Sequence, residues 1–216
     1  MADTGSDFSG VLMVLSAPLG VGKRTLCQAL IDRNPDLRLS ISKTTRPPAP
    51  REVHGHDYYF VTDEEFNRQV ETGDFLEYVR IHNHGYGTPW EPTRVHLAAG
   101  RDVLLDVDTR GALEIKRKRP EAVLVFVCPT NMEIVAARLR SFDPHREDLF
   151  SSRLERAKEE IARAAQFDYV VLNDSLVETA DDVSSILLAE RRRSNRTIEA
   201  LQKLHTSVPS LSFPAP

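Results

Sequence analysis

Cysteine is nearly missing from this chain: two in 216 residues, Cys27 and Cys128, each among apolar neighbours. Two such residues make no disulfide framework, and no histidines cluster with them to suggest zinc; both read as reduced, buried thiols. A basic excess is missing as well. Lys and Arg number 28 against 32 Asp and Glu, a net charge of -4, which withholds the electrostatic footprint of a nucleic-acid binder. Long apolar runs are absent too. The longest, such as 122–128, are strand-length and far too short to cross a bilayer. The opening MADTGSDFSG is acidic and polar, unlike a secretory signal. The expectation is a cytoplasmic protein with neither nucleic acid nor membrane as partner.

What is present is an ordinary globular balance, 41% apolar and 28% charged, in a length that suits one large domain. Residues 11–15 form a continuous apolar run, as in a strand buried on both faces. A glycine-containing turn follows, then a helical pattern over 23–33 that Asn34, Pro35 and Asp36 stop. The proline-rich stretch 45–50 is extended. Strands are expected at 58–61 and 75–81, with a helix over 63–72 capped by Thr62. A helix over 91–99 ends at Gly100. Further strands fall at 103–107, 123–127 and 169–172, and further helices at 132–140, 151–165 and 181–193. Strands alternating with helices predict a parallel α/β sheet. The tail 207–216, rich in Ser and Pro, reads as disordered.

Between the first strand and the first helix stands Ser16-Ala17-Pro18-Leu19-Gly20-Val21-Gly22-Lys23-Arg24-Thr25. That context is what a phosphate-binding loop requires. Unpaired amides at a helix start and the helix dipole both favour an anion there. Gly20 and Gly22 let the backbone curl, and Lys23 reaches terminal phosphates as a point charge. Two positions break the pattern G-x-x-x-x-G-K-[ST]. Ala17 stands at the first glycine, and Arg24 stands where a hydroxyl normally holds magnesium. Thr25 is a poor substitute, because one residue along a helix is a rotation of about 100°.

From Ser40-Ile41-Ser42-Lys43-Thr44-Thr45-Arg46-Pro47-Pro48 onward the chain resembles guanylate kinases. The likeness continues through Glu52-Val53-His54-Gly55-His56-Asp57-Tyr58-Tyr59-Phe60, Gly73-Asp74-Phe75-Leu76-Glu77, Tyr86-Gly87-Thr88 and Leu104-Leu105-Asp106-Val107-Asp108. It then runs through Arg138-Leu139, Arg153-Leu154 and Val171-Leu172-Asn173-Asp174. The resemblance implies an α/β P-loop nucleoside monophosphate kinase fold, with a parallel-sheet core, a small GMP-binding lobe and a helical lid. The family domain would span 9–193, with core segments 9–39, 96–137 and 155–193, lobe 40–95 and lid 138–154. Residues 194–216 would be a C-terminal extension. It also implies transfer of the γ-phosphate of ATP to GMP, with magnesium, in a monomer or homodimer.

The same resemblance assigns roles. Ala17 to Thr25 (Ala17, Pro18, Leu19, Gly20, Val21, Gly22, Lys23, Arg24 and Thr25) hold ATP, with Asn173 on the adenine side. Glu77 reads guanine, whose N1–H and amine lie side by side for a carboxylate. Asp106 assists on the base side, and Ser42 and Thr88 add hydroxyls. Arg46, Tyr58 and Tyr86 hold the GMP phosphate. Lys23, Arg46, Arg138 and Arg153 carry the chemistry, the last two as lid arginines. Asp108, two residues from Asp106 and so on the same strand face, is a candidate to support magnesium through its bound waters or to pair with Lys23.

The likeness fails at three further positions. The family's second basic residue of the proline-rich loop falls at Ala49, with Arg51 nearby as a stand-in. A lid arginine falls at Phe142, with Arg140 or Arg146 as stand-ins. Gln is usual where Arg110 stands. Phosphoryl transfer rests on positioning and charge neutralisation, so these losses leave three readings open. They are a divergent guanylate kinase, a non-catalytic module that binds nucleotide or an acidic or phosphorylated peptide, and a P-loop kinase for another substrate.

Overall fold

The computed structural model describes residues 10–142, 147–173 and 175–193. The chain start, Arg146, Asp174, the extension 194–216 with its Ser- and Pro-rich end, and the side chain of Phe142 lie outside the described residues.

In chain order the first half runs β1 (Leu12–Ser16), α1 (Lys23–Arg33), β2 (Leu37–Leu39), β3 (Lys43–Thr44), β4 (Tyr59–Phe60), α2 (Asp63–Glu71), β5 (Phe75–Ile81), β6 (His84–Pro89) and α3 (Trp90–Ala98). The second half runs β7 (Asp102–Asp106), α4 (Thr109–Lys118), β8 (Val123–Pro129), α5 (Met132–Phe142), α6 (Phe150–Ala162), β9 (Tyr169–Asn173) and α7 (Leu176–Arg191). Short 3-10 turns precede and follow α6.

The core is a five-stranded parallel sheet in the order β2-β7-β1-β8-β9. β1 is central and wholly buried, as its unbroken apolar run requires. Alternate side chains serve opposite faces. Met13, Leu15, Val125 and Val127 pack with Leu26 and Leu30 of α1 and Val183 and Leu187 of α7. Leu12, Val14, Leu105, Leu124 and Phe126 pack with Leu97 of α3 and Ala112 and Ile115 of α4. Cys27 is buried in the first of these layers, whereas Cys128 is only half-buried.

A second, mixed sheet in the order β4-β3-β6-β5 forms the small lobe. β5 and β6 are antiparallel across His82 and Asn83, both left-handed at φ 48 and 69, the pattern of a two-residue hairpin turn. Sequence periodicity does not show β6, because His84-Gly85-Tyr86-Gly87 lacks apolar alternation. Its glycines are there for space: a Cβ on Gly85 would meet the Phe66 ring at 2.6 Å, and one on Gly87 the Phe75 ring at 2.8 Å.

The short strands β2 and β3 and the helix α4 are also additions to the sequence reading, and α7 begins at Leu176 rather than at Asp181. The expected lid residues fall on the facing ends of α5 and α6, which meet through Val135, Leu139 and Ala157.

Thr62 caps α2 as expected, its Oγ1 accepting the Glu65 amide at 3.1 Å. Thr62→Ala is expected to cost about 1 kcal/mol. That is a fall of roughly 2–4 °C in Tm for a chain of this size, read by thermal denaturation. A Tm equal to the parent's would show that the cap contributes nothing.

Candidate active site

The carboxyl ends of the parallel strands converge, as ligand sites do in open α/β sheets. From β1 the chain enters the turn 17–22. Gly20 and Gly22 sit at φ 89 and 88, a region other residues avoid. Gly22 starts α1 with no side-chain cap, so first-turn amides remain for an anion. Lys23 crosses to the end of β7, its Nζ donating to the Val107 carbonyl at 2.6 Å and pairing with Asp106 at 2.7 Å.

Ala17, Pro18 and Val21 are buried, while Arg24 and Thr25 are exposed on the helix. The Val21 carbonyl accepts from Asn173 Nδ2 at 3.0 Å and from Arg138 at 3.1 Å. Asn173 and Arg138, expected on the adenine side and in the lid, therefore meet on the loop itself. Arg153 lies on α6, half-buried.

A second cluster belongs to the small lobe. Arg46 makes a bidentate pair with Glu52, both contacts at 2.9 Å. Its guanidinium also stands 5.6 Å from the Tyr58 ring centroid, and Tyr58 and Tyr86 meet edge to face at 6.1 Å. Pairing with Glu52 raises the Arg46 pKa further, so it is a permanent cation. Burial pushes the Tyr58 phenol upward, which keeps it a neutral hydroxyl donor.

The third cluster is a cleft of about 720 Å³ between β5 and the helices α4 and α6, lined among others by Glu77, Asp108, Arg110 and Arg156. Glu77 is 8% exposed and accepts the Thr88 hydroxyl at 2.6 Å. Burial is the main force raising its pKa; the Thr88 hydrogen bond opposes the rise and the charge of Asp108 adds to it. Ser42 lies half-buried just before β3.

The two aspartates depart from the sequence expectation in their pairing with Lys23. Asp106 is the carboxylate that pairs with Lys23. Asp108 lines the cleft with Glu77 instead of pairing with Lys23. The cause is local: β7 ends at Asp106, so strand alternation does not carry to Asp108. Asp108 caps α4, one oxygen accepting the Gly111 amide at 2.8 Å and the other facing Arg156 at 3.4 Å. With both Asp108 oxygens engaged, Asp106 on Lys23 and a guanidinium at position 24, these residues do not fit a directly ligated magnesium.

Sequence reasoning missed four partners: Glu52 for Arg46, Asp57 for Arg24, Arg156 for Asp108, and Glu160, which is buried and accepts the Leu19 amide of the loop at 3.3 Å. Only α4 left a readable signal, an Asp cap ahead of the apolar positions Ala112, Leu113 and Ile115.

The guanylate kinase family model matches residues 9–190. A guanylate kinase of Caldanaerobacter subterraneus subsp. tengcongensis is 40% identical over 90% of this chain and 95% of its own length. One of Hyphomonas neptunium is 44% identical over 88% of each. The crystal structure of guanylate kinase from Anaplasma phagocytophilum superposes with a TM-score of 0.74 at 31% identity, covering 94% of this chain and 97% of that one. With its parallel core, small lobe and glycine loop between β1 and α1, the chain belongs to the guanylate kinase family of nucleoside monophosphate kinases.

Proposed function

We propose that this chain transfers the γ-phosphate of ATP to GMP, giving ADP and GDP. The observation that carries the reading is Glu77, a buried carboxylate held by Thr88 in a cleft whose lining residue Glu160 also accepts the Leu19 amide of the phosphate loop. Ionised, Glu77 accepts guanine's N1–H and amine together, whereas adenine presents an acceptor at N1. A site that leaves buried polar groups unpaired rejects the wrong partner strongly.

The other residues fall into order around it. Lys23 and the amides of Gly20 to Thr25 take the donor phosphates, with Asn173 at the adenine end. Arg46 exchanges Glu52 for the GMP phosphate, and Tyr58 and Tyr86 donate hydroxyls to it. Arg138, already on the Val21 carbonyl, and Arg153 neutralise charge as the phosphoryl group moves. Magnesium would arrive with the substrate phosphates, since no group of ligating side chains stands ready for it among the described residues.

A coupled ADP-release assay with ATP, magnesium and each of GMP, AMP, CMP and UMP tests the reading. Turnover is expected with GMP, well above the others. Binding of GMP without ADP release would leave a nucleotide-binding module. Equal rates with AMP would remove the role given to Glu77.

A further inference from the structure

Arg24 stands at the loop position where a hydroxyl would face magnesium, and its side chain leaves that site for the small lobe. The guanidinium pairs with Asp57 Oδ1 at 2.7 Å, joining the first turn of α1 to the residue before Tyr58. Asp57 has a separate task for its other oxygen, which accepts the Val53 amide at 2.9 Å and holds the turn. Arg24 is therefore a second guanidinium beside the Arg46, Tyr58 and Tyr86 cluster. Its charge acts on the Tyr58 phenol more strongly than that of Arg46 does. Meanwhile the lobe loop carries no cation at Ala49, whose amide is spent on Glu52 at 2.7 Å.

We infer that Arg24 is a binding residue for the phosphate of GMP, reaching across from the donor-loop helix to supply the cation that the lobe loop lacks at Ala49. This rests on the GMP-kinase reading above. The exchange costs little. The Arg24 side chain is 73% exposed, and water screens exposed pairs with carboxylates so that they hold weakly. A phosphate dianion accepts a bidentate guanidinium more strongly than the single oxygen Asp57 offers. Asp57 thus holds Arg24 ready and gives it up. One consequence is structural: the acceptor phosphate becomes tied to α1, the helix that also holds the donor phosphates, so acceptor and donor share one support.

Calorimetry without ATP or magnesium tests this, using GMP and, as a phosphate-free probe, guanosine. Arg24→Ala is expected to weaken GMP about tenfold, the size of one charge-assisted contact on an exposed group. Guanosine affinity is expected to match the parent's. Adding Ala49→Arg to Arg24→Ala is expected to recover most of the loss, and Arg24→Lys part of it. Parent-like GMP binding by Arg24→Ala would overturn the inference. So would equal losses of GMP and guanosine, which mark a structural role. A parent that binds neither ligand would overturn the GMP reading itself, a result distinct from both.

Discussion

Glu77→Gln is expected to raise the KM for GMP by about 100-fold and to narrow the gap between GMP and AMP. Glu77 sits on β5, where burial raises the cost of its charge and the Thr88 hydroxyl repays part of it. Guanine repays the rest with two N–H donors from one edge. Glutamine keeps the shape and one acceptor but turns its amide against guanine's N1–H. The loss is one charge-assisted contact plus a facing pair of donors, roughly 2.7 kcal/mol. The same amide suits adenine, which offers an acceptor at N1 and a donor at its amine. Steady-state kinetics with both nucleotides measure this; a KM for GMP within threefold of the parent's would show that Glu77 does not read the base.

A pH dependence follows from the same carboxyl. Its pKa lies above the ordinary glutamate value, mainly through burial. The proposed pairing with guanine uses the ionised form, so GMP affinity is expected to be full at high pH and to fall as pH drops through the raised pKa. That fall begins at higher pH than an ordinary carboxylate near 4.3 would give. For folding without ligand the sign is opposite. Protonation is favoured in the folded state, so this group's contribution is present at low pH and lost as pH rises through the raised pKa. The glutamine variant loses both dependences.

Legibility in the sequence tracked distance along the chain. The phosphate loop was readable because strand, glycines, lysine and helix are contiguous, and α1 falls at Lys23–Arg33 as its pattern requires. The buried strands were readable from apolar runs. β3 and β4 are two residues each, too short for any period to register. The two-residue spacing of Asp106 and Asp108 suggests one strand face, but β7 ends at Asp106, so the pairing of Lys23 with Asp106 rather than Asp108 is not legible from it. The pairs Arg24–Asp57 and Leu19–Glu160 span 33 and 141 residues. Nothing local marks such partners; they are set by how the lobe and α6 pack against the core.

Lys23→Ala is expected to lower kcat/KM for ATP by about 100- to 1000-fold while leaving GMP affinity nearly unchanged. Lys23 is the cation placed at the mouth of the loop by Gly22 and held there by the Val107 carbonyl and Asp106. Donor phosphate competes with Asp106 for it, and on transfer its charge meets the negative charge building on the bridging and terminal oxygens. A preorganised group aimed at developing charge is worth about 2.7–4 kcal/mol. The alanine variant also leaves Asp106 facing the phosphates as an unpaired carboxylate, which repels them and adds to the loss. Pairing the change with Asp106→Asn therefore recovers part of the activity: removing the orphaned anion restores the smaller, repulsive share but not the missing cation. The residues proposed for GMP, Glu77, Thr88 and Arg46, make their contacts away from Lys23, so calorimetry with GMP alone separates the two sites. A variant that turns over ATP like the parent would show that the loop amides hold the donor phosphates unaided. One that loses GMP affinity as steeply as ATP turnover would show that the lysine supports the fold of both sites rather than the transferring phosphate.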